Sequence, residues 1–98
     1  LQGRVSRQVK HMPIPASVSF KADNHSNNHT IDIVASDRPG LLSQLAGIFL
    51  QHQIHLHNAK INTLGNRAED TFVITNRGGK KLSDLQIKKL EQDLLARL

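Results

Sequence analysis

Hydrophobic and polar positions in this chain switch between a period of two and a period near 3.6. Val18 and Phe20 share one phase and Ser17 and Ser19 the other, so Ala16 to Lys21 is expected as a short strand. Ala22 to Asn28 is a run of Asp, Asn, His and Ser, the composition of a loop. In Thr30 to Ser36, Ile31, Ile33 and Ala35 alternate with Thr30, Asp32 and Val34, which predicts a second strand. Val34 is apolar on the second face, so that face is expected to be partly covered. Leu41, Leu42, Leu45, Ile48 and Phe49 then fall on one helical stripe, and Leu41 to His52 is expected as a helix.

Ile54 to Leu64 reads as a strand whose alternation slips. Ile54 and Leu56 are in one phase, Ala59 and Ile61 in the other. A side-chain period of two cannot absorb that slip without a bulge or a change of buried face, and His57 and Asn58 are where it must occur. Gly65-Asn66 is a tight turn, and Arg67 to Asn76 returns as the hairpin partner with Phe72 and Ile74 inward. Arg77-Gly78-Gly79 breaks the pattern. Ser83 to Leu98 is a second helix. Ser83 and Gln86 have the spacing of a capping box, Leu82 can staple onto Ile87, and Ile87, Leu90, Leu94 and Leu98 form the buried stripe.

The order β-β-α-β-β-α predicts an α+β, ferredoxin-like domain: a four-stranded antiparallel sheet with two helices on one face. In the usual ferredoxin-like sheet the last strand follows the second helix. Here Ala16 to Lys21 is expected to replace it, beside Thr30 to Ser36. The strands would then lie in the order first, second, fourth, third. Residues 1–15 are polar, aperiodic and end in Pro13 and Pro15, which reads as a linker from a preceding domain. Residues 16–98 are the domain.

Composition removes several function classes. The chain has no Cys, so thiolate metal sites and thiol nucleophiles are excluded, and a reducing, cytoplasmic setting is expected. No apolar run approaches the ~20 residues of a membrane span, and no membrane partner is expected. The net charge of +5 raises nucleic-acid binding. The basic residues are scattered, however, and three Phe with no Tyr or Trp leave little for base stacking. No nucleic-acid partner is expected. Glu69 and Asp70 are adjacent on a strand and face opposite sides, so they are not an acid-base pair. No nucleophile–base constellation is visible and no catalytic residue is assigned.

Asp37-Arg38-Pro39-Gly40-Leu41 joins the second strand to the first helix. Gly40 leaves room for a ligand to approach the backbone. Pro39 suits the first turn of a helix. The helix points unpaired N–H groups and its positive dipole end at this corner, a ready receptor for a carboxylate. Taken alone, the same five residues also make an ordinary strand-to-helix turn.

Asp37-Arg38-Pro39-Gly40-Leu41-Leu42, Gln53 to Ile61 and the hairpin Leu64 to Phe72 together resemble an ACT domain, a small-molecule-sensing regulatory module with a ferredoxin-like fold. His57 to Phe72 and the leading Pro13 to Phe20 resemble in particular the C-terminal ACT repeat of bacterial PII uridylyltransferase/uridylyl-removing enzymes. That family joins a nucleotidyltransferase domain, an HD-type phosphohydrolase domain and two ACT domains. The resemblance implies glutamine as effector, the preceding ACT domain or a second copy as pairing partner, and PII as the target of the parent enzyme. It implies Mg for the parent's catalytic part and no cofactor for this stretch. Neither a Gly-Ser plus paired-Asp signature nor an adjacent His-Asp pair occurs here, so the stretch itself is not expected to be catalytic.

Carried over residue by residue, the ligand-binding positions are Asp37, Arg38, Pro39, Gly40 and Leu41, with His55, His57 and Asn58 for a side-chain amide. His55 departs from the Asn or Asp common in the family. It offers one donor and one acceptor set by its tautomer. His55 and His57 lie two apart on a strand, as a chelating pair can. With no Cys and no third ligand at a fitting spacing, no metal is assigned. Two other functions stay open: a purely structural ACT pairing module, and a basic RNA-binding module of the same fold.

Overall fold

A computed structural model describes residues 14–98; the greater part of the expected linker lies outside the described residues. The elements are β1 (Ser17–Ala22), β2 (His29–Ser36), α1 (Leu41–Gln51), β3 (Ile54–Lys60), β4 (Thr63–Leu64), β5 (Arg67–Asn76) and α2 (Asp84–Arg97). They form an antiparallel, ferredoxin-like sheet in the order β1-β2-β5-β3, with β4 also on β5. The expected exchange of edge strands is present: β1 pairs β2 from Ser17 opposite Val34 to Ala22 opposite His29.

The predicted third strand is divided in two. Its register slips between Leu56 and Asn58, leaving His57 as the extra residue of a bulge. Strand geometry then lapses at Ile61 and Asn62 before β4 resumes. The cause is Asp70, 2% exposed on the core side of β5. Its carboxylate takes the Asn62 N–H at 3.2 Å. The Glu69 N–H still donates to the Asn62 carbonyl at 2.8 Å, so one side of the ladder survives. A strand amide captured by a side chain is lost to the ladder, which explains five strands where the pattern gives four.

The core lies between the sheet and both helices. Ile31, Ile33, Phe72 and Ile74 from the sheet meet Leu41, Leu45, Ile48 and Phe49 of α1 and Leu90 and Leu94 of α2. Phe49 and Phe72 meet edge to face at 5.2 Å. The capping box on α2 forms in both directions, Gln86 N–H to the Ser83 hydroxyl and Ser83 N–H to the Gln86 side chain. Leu82 is buried and Ile87 packs on the core, as a staple requires. One stripe residue departs from expectation: Leu42 is 48% exposed, at the margin of the core.

α1 ends in a left-handed residue, Gln53 at φ 59°, whose N–H reaches the Leu50 carbonyl. Glycine is the usual occupant of such a C-terminal position. Gln53→Gly is therefore expected to raise unfolding stability by about 1 kcal/mol, read as a higher denaturation midpoint at unchanged cooperativity.

His29 opens β2 on the core side, 5% exposed, with no partner for its Nδ1 among the described residues. Burial and then the Lys81 charge hold its pKa below the ordinary 6.5, with Asp84 opposing. The unfolded chain therefore takes the proton first on acidification. The stability His29 permits is whole above 6.5 and is lost as pH falls through the lower folded value. Denaturation midpoints should drop between pH 7 and 5 in the native chain. They should drop less in His29→Leu.

Candidate ligand corner and the β3 edge

The corner is a turn before it is a helix. Gly40 sits at φ 84°, ψ 1°, and the Leu41 N–H reaches the Arg38 carbonyl at 3.2 Å. Those values define a type II turn over Arg38-Pro39-Gly40-Leu41, with Pro at its second position and Gly at the third. Pro39 thus belongs to the turn and not to the helix, a correction to the reading that puts it in the first helical turn. The positive φ makes glycine the fitting residue at position 40, and a Cβ built there meets no atom within 4 Å. The space beside Gly40 is open.

α1 has no side-chain cap, in contrast to α2. The Gln44 N–H bonds the Gly40 carbonyl, while the N–H groups of Leu42 and Ser43 find no acceptor among the described residues. Asp37 is anchored through its backbone, its N–H giving to the Asn66 carbonyl of the β4–β5 turn at 2.8 Å. Its carboxylate is exposed and takes no hydrogen bond among the described residues. Two amides and a carboxylate without hydrogen-bond partners among the described residues therefore flank one open turn. They complement the carboxylate and ammonium of an amino acid.

Arg38 folds back and donates to the Gln44 side-chain oxygen. The Gln44 amide in turn donates to the Arg97 carbonyl at 3.0 Å, and the Arg97 guanidinium reaches Gln51 at 2.7 Å and Asp93 at 3.5 Å. His52 meets Asp93 at 2.8 Å, and this contact, ahead of Arg97, lowers the Asp93 pKa. The turn is thus tied to the end of α2. This tie spans 53 positions between Gln44 and Arg97 and left no sequence signal.

His55, His57 and Asn58 stand elsewhere. His55 lies opposite Thr75 and Asn58 opposite Val73, whereas Ser36, just before the corner, lies opposite Arg67. Six to eight residues of β5 separate the two levels, about 20–27 Å at strand rise. One copy of the chain therefore does not bring the corner and the β3 residues together. The His55 and His57 rings are 4.6 Å apart. The Thr75 hydroxyl gives its one proton to the Asn76 carbonyl, so the contact at 2.8 Å makes His57 Nε2 the donor. Among the described residues no set of three His, Asp or Glu is placed to hold a metal.

Beside the corner lies a feature the pattern concealed. Leu42, Ala46 and Phe49 of α1 with Leu56, Ala59 and Ile61 line an apolar groove of about 220 Å³. Leu56 is 45% and Ile61 46% exposed, on the free edge of the sheet.

Relatives decide the family. A protein of Aromatoleum aromaticum is 45% identical over 96 residues, covering 98% of this chain and 11% of the relative. Proteins of Pseudomonas entomophila and Psychrobacter cryohalolentis are 42% and 39% identical over 99 and 92 residues, covering 100% and 94% of the chain and 11% and 10% of the relatives. All three are named bifunctional uridylyltransferase/uridylyl-removing enzyme. The chain is homologous to one small domain of these enzymes. It spans about a tenth of the length of the curated relatives it matches. No family model matches it, and no solved structure does. Among the described residues, no helix is long and apolar enough to cross a membrane.

Proposed function

We propose that this chain is a glutamine-sensing regulatory domain of a cytoplasmic enzyme that uridylylates the nitrogen signal protein PII and removes the uridylyl group. The observation that carries the reading is the α1 terminus without a side-chain cap at an open Gly40, beside the exposed Asp37 carboxylate, which takes no hydrogen bond among the described residues. The N–H groups of Leu42 and Ser43 would hold the effector's carboxylate, and Asp37 its ammonium. Its side-chain amide would meet His55, His57 and Asn58 contributed by a second ACT-type domain, because one copy keeps them far from the corner. Effector bound between two domains would stabilise one arrangement of the pair and bias distant catalytic domains.

Isothermal titration of the chain with glutamine tests this. The expected result is saturable heat at millimolar glutamine or below and none with D-glutamine. Heat identical for the two enantiomers would overturn the reading.

A structural pairing module is the second reading, and the groove between α1 and β3 favours it. It predicts self-association without any effect of glutamine. The RNA-binding alternative would need stacking residues on the outer face of β5, which presents Glu69, Thr71 and Val73, while Phe72 lies in the core.

A further inference from the structure

A second cleft lies on the outer face of the sheet, at the end remote from Gly40. Lys21 of β1 lies opposite Thr30 of β2, and Thr30 opposite Val73 of β5, so the three form one row across that face. With Asn24, His25 and Asn28 of the β1–β2 loop they line an open cavity of about 400 Å³. Val73 is six residues along β5 from Arg67, which is level with the corner, so about 20 Å of strand separates the two sites.

The cleft has donors to give and few acceptors left. The side chains of Lys21, Asn24, His25, Asn28 and Thr30 make no hydrogen bond or ion pair among the described residues. Asp23 is the one acid among the lining residues, and both of its oxygens are engaged by its own loop. One takes the His25 N–H at 3.0 Å and the other the Ser26 hydroxyl at 2.7 Å. The His25 bond and then the Ser26 bond hold its carboxyl below the usual carboxylate range, and the Lys81 charge adds to them. Lys81 also donates to the Asp23 carbonyl at 3.4 Å, so it offsets the acid and leaves the charge of Lys21 in excess. Asp32, two residues from Thr30 on the same face, already receives the Thr71 hydroxyl at 2.6 Å.

The loop is also held in place. The Asp23 N–H closes it on the Asn28 carbonyl at 3.0 Å, and the Asn28 N–H reaches the Ser26 hydroxyl at 3.1 Å. The Asn27 amide ties it to the Gly79 carbonyl at 3.2 Å. Ordering that is complete in the free chain is not charged against binding.

We infer that this cleft binds a small organic phosphate. An ammonium, an imidazole, two carboxamides and a hydroxyl converge from β1, β2 and the loop between them, and together they carry more donors than a carboxylate can use. A phosphate's terminal oxygens accept from several directions, and its charge strengthens each bond. The cavity has the volume of a small-molecule cleft, and Ala22 and Val73 give it apolar surface for the carbon part of the ligand. The site is independent of the effector corner and adds a second ligand to the domain.

Titration of the ¹⁵N-labelled chain with glycerol 3-phosphate tests this. The Asn24 and Asn28 side-chain amides and the Lys21 and Thr30 backbone amides should shift together and saturate with a midpoint of about 1 mM or below. Lys21→Gln should weaken binding about tenfold by removing the charge-assisted bonds. Lys21 is exposed, so the variant should keep the native amide spectrum elsewhere. Lys89→Gln, which changes an exposed lysine of α2 outside the cleft, should leave binding as it is. Inorganic phosphate should saturate the same amides at a higher concentration, and binding as tight as that of the ester overturns the organic class. Absence of saturation overturns the site. Equal weakening by the two lysine variants does so as well, because the net charge of +5 alone would produce it. Glutamine is absent throughout, so no outcome depends on the effector reading.

Discussion

Phe72→Ala should unfold more easily than the native chain by about 3–5 kcal/mol, the largest loss expected from any single truncation here. Phe72 is 3% exposed at the middle of β5, the strand that pairs with β2, β3 and β4. Its ring meets Phe49 of α1 edge to face and lines the floor of the groove beside the free edge. Truncation removes transfer energy and the aromatic contact together. β5 is held by ladders on both sides, so collapse around the void is restricted. Urea denaturation followed by far-UV circular dichroism checks this, with Val73→Ala as the comparison. Val73 is on the outer, half-covered face and should lose less than half as much.

Asp37→Ala should weaken glutamine binding by about 10- to 100-fold while leaving stability within about 0.5 kcal/mol of native. The carboxylate is exposed and makes no hydrogen bond among the described residues, so its removal leaves no partner stranded. Its only assigned work is to receive an ammonium. The Asp37 N–H that anchors the turn to Asn66 survives the change. Asp37→Asn separates charge from shape: the amide keeps the volume and loses the ion pair. Most of the weakening should persist in it. Calorimetric titration of native and variant chains, with denaturation midpoints on the same samples, checks both halves of the expectation.

Where the sequence spoke clearly, local pattern and fold coincided. The phase slip at His57 and Asn58 became a bulge because a two-residue period has no other way to turn Leu56 and Ala59 to one side. Ser83 and Gln86 capped α2 because that motif closes within four residues. The replacement of the last strand by β1 followed from a hairpin, which forces antiparallel neighbours.

What stayed hidden depended on contacts between distant positions. Leu42 belongs to the helical stripe by spacing, yet it borders the stripe's edge, and only the position of β3 decides that it is left half exposed beside the groove. The break at Ile61 and Asn62 needs the carboxylate of Asp70, eight positions on. Gln53 takes a left-handed conformation in which no sequence rule would place glutamine. Pro39 carries the same fixed φ in a type II turn as in a first helical turn, so the residue alone did not distinguish them. The residues of the candidate site were legible one by one. Their separation along β5 was not, because it follows from β2 and β3 running parallel on either side of β5.

The most direct test of the central claim is an amide ¹H–¹⁵N correlation spectrum of the labelled chain titrated with glutamine. The account predicts saturable shifts centred on the Gly40, Leu41, Leu42 and Ser43 amides. His55 and Asn58 should follow at the same midpoint. Shifts confined to other regions, or an unchanged corner at saturating glutamine, would contradict it.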